Sequence, residues 1–206
     1  MQSKDVIEWD RIHRMHPIRL KNSKKQYTYY VPCLKNAHSS MTRFFADGKV
    51  MMVPFAPDQA FMILRSPLDR WMSALNMYLD GGMGYRKTMK DDPHFKPQTN
   101  FLSGYDVDKI RYYDLNKSIF MDVIKGEKLL RYKNNKKPTI NMRKIKMFRF
   151  DVEHNKKAYA LLPKRLKGCK PEDYGLYPTL KETLEYLNEE YKEDILFYNN
   201  RKFVNR

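Results

Sequence analysis

The sequence predicts a three-layer α/β domain, with a central parallel sheet flanked by helices. Three observations carry that expectation. Residues 27–34 are β-branched and aromatic, and they run through a tight polar loop into the start of a helix near Ser39. Ala60-Phe-Met-Ile-Leu64 is a short apolar run without alternation, which suits a central strand covered on both faces. Directly behind it, Ser66-Pro67-Leu68-Asp69 combines an N-cap serine, a proline at the first helical position and an acid three residues after the cap. A strand feeding a polar loop and then a helix N-terminus is the plan of a phosphate-binding loop, so the expected fold is P-loop-like.

In chain order, residues 1–26 read as a polar, basic N-terminal extension, with His13 and His16 as surface histidines. The first strand follows at 27–34, and a short helix at 39–46 stops at Asp47-Gly48. A turn-rich segment at 53–58 leads to the second strand at 60–64. The helix that opens at Ser66 carries Leu68, Trp71, Met72, Leu75 and Leu79 as an apolar stripe, with Asp69, Ser73, Asn76 and Asp80 on a polar one. Gly81-Gly82-Met-Gly84 ends it. Residues 85–105 read as irregular, because their prolines exclude a helix, and a loop of that length carrying aromatics, His94 and Gln98 reads as functional. A helix is expected at 116–124 and a basic turn at 133–137. A third strand is expected at 145–150, a helix at 156–162 and a basic loop at 163–171. Thr179-Leu-Lys-Glu182 is a capping box, opening a helix with Leu180, Leu184, Leu187, Tyr191 and Ile195 on one side.

A chain of 206 residues with 42% hydrophobic content supports one domain with a real core, spanning 1–206. Lys+Arg 40 against Asp+Glu 24 gives a net charge of +16, spread along the chain. That favours a polyanionic partner: a nucleotide, a nucleic acid, an acidic glycan or an anionic membrane. Cys33 and Cys169 are far apart, which argues against a disulfide framework and for a reducing compartment. No run approaches the roughly 20 apolar residues of a membrane span, and the first residues lack a signal peptide's apolar core. The expectation is a soluble, cytoplasmic protein.

The loop after the first strand, Lys35-Asn-Ala-His-Ser-Ser40, offers successive backbone N–H groups, a mobile lysine charge and two hydroxyls to an anion. It is not a Walker A loop, which needs two glycines and a lysine at the helix start; here the lysine precedes a glycine-free loop. An ATPase or GTPase is therefore a poor fit.

Lys-x-Ala-x-Ser-Ser after one strand, followed by Arg65-Ser-Pro-x-x-Arg70-x-x-Ser73-Ala after the next, resembles the sulfotransferases that use 3′-phosphoadenosine 5′-phosphosulfate (PAPS). Asp92-Pro-His94-Phe-Lys-Pro97-Gln98 is similar to the Asp-x-His-Trp-x-Pro-Gln segment of the carbohydrate sulfotransferases, and the tail Glu190-Tyr-Lys-Glu-Asp194-Ile-Leu-Phe-Tyr198 resembles their closing Tyr-x-x-Asp-x-x-x-Phe segment. The echoes run in order over residues 27–198. Two departures stand out: Pro32 lies three positions ahead of Lys35 rather than directly before it, and the segment between the two strands is short.

The resemblance implies PAPS as co-substrate, with Lys35 and the loop Asn36, Ala37, His38, Ser39, Ser40 and Met41 on its 5′-phosphosulfate, and Arg65 and Ser73 on its 3′-phosphate. It implies sulfuryl transfer to a hydroxyl or amine of an acceptor, a glycan first of all, by chemistry that calls for no metal. Lys35 would stabilise the leaving oxygen. A base must take the acceptor's proton, and His94 is the first candidate, with His38, Glu153 and His154 as the others. Lys164, Arg165 and Lys167 form a late basic loop that either closes over the 3′-phosphate or is a solvated surface. The competing classes are a nucleic-acid-binding protein, suggested by the charge and by basic-aromatic runs such as Lys109-Ile-Arg-Tyr-Tyr113, and then a nucleotide kinase.

Overall fold

The structure, a computed structural model, describes residues 17–21, 27–38, 41, 59–79, 92–129, 172 and 175–206. Contacts between residues gather the chain into two compact units. Met1–Arg65, Gln98–Lys146 and Arg201–Arg206 make the first, and Ser66–Pro97 and Met147–Asn200 the second. The fold is of the α/β class.

The described part of the first unit is built on a four-stranded mixed sheet in the order β1-β2-β3-β4. Strand β1, Ile18–Lys21, lies inside the segment read as a polar extension. It pairs antiparallel with β2, Tyr27–Val31, because alternating Ile18 and Leu20 have a core to reach, while Arg19 lies over the Tyr27 ring at 4.3 Å. Strand β3, Ala60–Leu64, is buried at every position and runs parallel to β2 on one side and to β4, Arg111–Asp114, on the other. Its unbroken apolar run is explained by that central place. The parallel arrangement puts the C-terminal ends of β2, β3 and β4 at one edge of the sheet.

The run around Lys109–Tyr113, read as a basic-aromatic stretch, supplies β4. Tyr112 and Tyr113 are buried there, with the Tyr113 ring edge-on to Phe61 at 5.7 Å. Beyond β4, Tyr112 bridges to Phe203, and the Asn205 side chain pairs with both backbone groups of Asp114, accepting from its N–H at 2.8 Å and donating to its carbonyl at 2.9 Å.

Helix α1, Pro67–Leu79, starts where the capping sequence predicts, with Arg70 N–H donating to the Ser66 carbonyl at 2.9 Å. Its stripe of Trp71, Met72 and Leu75 is fully buried. Helix α2, Ile119–Glu127, begins three residues later than expected. The Asn116 side chain accepts from Ser118 N–H at 2.9 Å and so stabilises a turn in place of the first helical residues. The Thr179–Glu182 capping box forms in full and opens α3, Leu180–Glu190. One continuous stripe had been expected to Ile195. The chain instead breaks at Tyr191 and resumes as α4, Lys192–Asn199, with Leu187 and Tyr191 buried and Ile195 half-buried.

The expected elements at 42–58, 81–91, 133–137, 145–150 and 156–171 lie outside the described residues, as do the side chains of Leu79 and Leu180. No described helix is long and apolar enough to cross a membrane.

The core is rich in buried tyrosine, which sets an alkaline limit on stability. Burial pushes the hydroxyls of Tyr30, Tyr112, Tyr113 and Tyr191 well above the usual value of 10, and that of Tyr105 up to about 12. The folded chain keeps these protons at a pH where the unfolded chain releases them. Stability should therefore be full below pH 10 and fall as pH rises toward 12, by about 1.4 kcal/mol per pH unit for each tyrosine that ionises only on unfolding. Urea unfolding midpoints across that range, with tyrosinate absorbance as the second readout, check this; a flat midpoint would contradict it.

Candidate functional site

After β2 the chain passes through Pro32 and Cys33 into the loop that carries Lys35. The loop contains no glycine, and its left-handed positions are filled by Lys35 at φ 67° and Ala37 at φ 64°. A side-chain-bearing residue in that region costs roughly 1–2 kcal/mol, so the conformation persists only where neighbours enforce it. Asn36, between the two, does the enforcing. It is fully buried, and its N–H donates to the Cys33 carbonyl at 3.3 Å while its own carbonyl accepts from the Tyr30 hydroxyl at 3.4 Å. Its side-chain amide donates to the Ile63 carbonyl at 3.0 Å, and also to the Gln98 amide oxygen. Met41 N–H then donates to the Ala37 carbonyl at 2.9 Å, the i to i+4 bond of an opening helical turn. Left-handed residues alternating along a loop are the backbone feature of anion-binding nests.

Arg65 follows β3 at the same edge of the sheet and is almost wholly buried. Gln98 holds its backbone on both sides: the Gln98 oxygen accepts from Arg65 N–H at 2.9 Å, and the Gln98 amide donates to the Arg65 carbonyl at 2.7 Å. One side chain thus joins the Lys35 loop, through Asn36, to the residue that ends β3.

In the second unit, Asp92 and His94 form a buried pair. Asp92 Oδ1 lies 2.7 Å from His94 Nδ1 and accepts from His94 N–H at 2.8 Å. An ionised carboxylate only accepts, so Nδ1 carries the ring proton and Nε2 is the basic nitrogen of the neutral imidazole. The turn that bears the pair is held by its carbonyls. Arg70, fully buried on α1, donates to the carbonyls of Pro93, at 3.4 Å, and Lys96. Tyr191, between α3 and α4, donates to the Phe95 carbonyl at 2.5 Å. Three of the segments matched in the sequence, around Arg70, His94 and Tyr191, are therefore brought together within this unit.

Of the expected site residues, Lys35 and Ala37 are half-buried in the loop, and Asn36 is spent on internal hydrogen bonds. His38 is buried, its ring stacked on Tyr30 with centroids 6.3 Å apart, and Met41 is buried. Ser73 is half-buried on α1. Ser39, Ser40, Glu153, His154, Lys164, Arg165 and Lys167 lie outside the described residues.

Asp92, Arg70 and Tyr191 were not assigned roles from the sequence. The signal for Arg70 was its spacing, one turn before the buried Ala74 and next to Trp71, which places a cation on an inward-facing side where it must find carbonyls. For Asp92 it was the i, i+2 spacing to a histidine.

No family model, curated protein or solved structure matches this chain.

Proposed function

We propose that this protein is a P-loop-like, PAPS-dependent sulfotransferase acting on a hydroxyl or amine acceptor, a glycan foremost. The observation that carries the reading is the Asn36–Gln98–Arg65 tie. It links the two elements to which the resemblance assigns the 5′-phosphosulfate and the 3′-phosphate, at the C-terminal ends of the parallel strands of the mixed sheet, where α/β folds bind ligands.

In the proposed reaction the acceptor oxygen attacks sulfur in line, the bond from sulfur to the bridging phosphate oxygen breaks, and the acceptor's proton passes to His94 Nε2. Lys35 and the loop N–H groups stabilise the charge on the leaving oxygen. Asp92 keeps His94 in the accepting tautomer and stabilises the imidazolium that forms, as a buried carboxylate does for a catalytic histidine. Arg65 and Ser73 hold the 3′-phosphate.

His94→Ala should lower turnover by about 100-fold or more and leave nucleotide affinity unchanged. Unchanged turnover would remove His94 from the mechanism.

The nucleic-acid reading loses its aromatic platform, since Tyr112 and Tyr113 are buried in the sheet. A thermal-shift series separates the classes. The bisphosphate nucleotide 3′-phosphoadenosine 5′-phosphate should raise the melting temperature. A rise with single-stranded DNA alone would overturn the enzyme reading, and a rise with ATP alone would point to a kinase.

A further inference from the structure

We propose that Gln98 is a positioning residue that sets the spacing between the two phosphate subsites, an inference that rests on the sulfotransferase reading of the Lys35 loop and Arg65. Gln98 is fully buried in the turn Gln98–Leu102. Its amide makes the paired bonds to Arg65 that a neighbouring strand would make, so it extends the sheet's hydrogen bonding one residue past the end of β3. The same oxygen takes the Asn36 donor.

The Asn36 amide nitrogen has two hydrogens for three acceptors, namely the Ile63 carbonyl, Gln98 and the Cys33 sulfur at 3.3 Å. Its Oδ1 is buried without a hydrogen-bond partner, so donation alone fixes how the amide is turned. Asn36 in turn sits between the two left-handed residues of the loop. Gln98 therefore touches, through one atom, both the strained loop on the 5′ side and the backbone that carries the 3′-side arginine. The ribose of a 3′,5′-bisphosphate nucleotide limits the distance between its phosphates to a narrow range. The bisphosphate gains over a monophosphate only if the protein holds its two subsites at such a distance before binding.

The test is calorimetric binding of three ligands, 3′-phosphoadenosine 5′-phosphate, adenosine 5′-phosphate and adenosine 3′-phosphate, to the wild type, Gln98→Asn and Gln98→Glu. Asparagine keeps the amide on a stem one methylene shorter, and glutamate keeps the shape but loses the donor to the Arg65 carbonyl. In the wild type the bisphosphate should bind about 100-fold tighter than either monophosphate. In either folded variant that advantage should shrink about tenfold or more, with both monophosphate affinities within about threefold of wild type.

Wild-type protein that binds none of the three overturns the sulfotransferase reading itself. A bisphosphate advantage retained in a folded variant overturns only the role of Gln98, and so does a loss shared equally by all three ligands, which marks a purely structural residue. If neither variant folds, the wild type still decides: a bisphosphate that binds no tighter than the better monophosphate shows that no fixed spacing exists.

Discussion

Lys35→Ala is expected to slow the proposed sulfuryl transfer by about 100- to 1,000-fold, the range seen when one preorganised donor to a developing oxyanion is removed. The loop geometry makes this substitution a clean probe. Lys35 occupies a left-handed position, where alanine is strained much as lysine is, so the exchange leaves the backbone conformation under the same constraints from Asn36 and Tyr30. The exchange removes the lysine ammonium. In the proposed reaction the charge Lys35 meets grows as the sulfur–oxygen bond breaks, so the rate should fall more than the nucleotide affinity does. Single-turnover transfer rates beside calorimetric affinities measure the two separately. Equal losses in both would make Lys35 a binding residue only, and an unchanged rate would remove it from the site.

Glu127→Ala is expected to destabilise the first unit by about 2–3 kcal/mol, a sizeable share of a typical domain's total. Glu127 is the last residue of α2 and is buried, which places a carboxylate at the unfavourable end of the helix dipole. Donors from three side chains compensate. Arg111 grips both oxygens, Nε to Oε1 at 2.9 Å and Nη2 to Oε2 at 2.7 Å. The Tyr113 hydroxyl donates to Oε1 at 2.9 Å, and the Thr28 hydroxyl, whose single proton is shared with the Gln59 carbonyl at 2.8 Å, lies 2.9 Å from Oε2. One side chain thereby staples the starts of β2 and β4 to the end of α2, at the sheet edge opposite the Lys35 loop. The neighbouring Gly126 belongs to the same arrangement, since a Cβ there would lie 2.0 Å from the Tyr113 oxygen. Removing the carboxylate leaves the Tyr113 hydroxyl without its buried acceptor and takes the main partner from Arg111, whose side chain is 38% exposed and keeps the Gln59 carbonyl within reach, as does the Thr28 hydroxyl. Glu127→Gln, which keeps the volume and one acceptor oxygen, should lose less. Urea unfolding of both variants tests this, and a loss under about 1 kcal/mol for alanine would show the cluster to be far weaker than its geometry implies.

Those two residues also mark what the sequence could reveal. The Lys35 loop announced itself through local order, a strand, a lysine, two serines and a helix start, and α1 and α3 through their capping residues. Glu127 had no such signal. Its partners Thr28, Arg111 and Tyr113 are 99, 16 and 14 residues away, and only the pairing of β2, β3 and β4 brings them to it. The basic-aromatic run before Asp114 was misleading for a related reason. Arg111 reads as a surface cation until Glu127 is placed against it, and the tyrosines read as a stacking surface until Phe61 covers one of them. The absence of glycine from the Lys35 loop looked like a departure from a phosphate-binding pattern. In the fold the left-handed conformations are present all the same, imposed on Lys35 and Ala37 by the buried Asn36 and its bonds to Ile63 and Gln98. Long-range side-chain to backbone ties of that kind leave no periodic trace in a sequence.

The most direct test of the account is a crystal structure with 3′-phosphoadenosine 5′-phosphate bound. The account predicts the 5′-phosphate on the backbone N–H groups that follow Lys35, with the lysine ammonium beside it, and the 3′-phosphate on Arg65 and Ser73. A nucleotide seated away from the C-terminal ends of β2 and β3, or one with its 3′-phosphate on other residues, would contradict it.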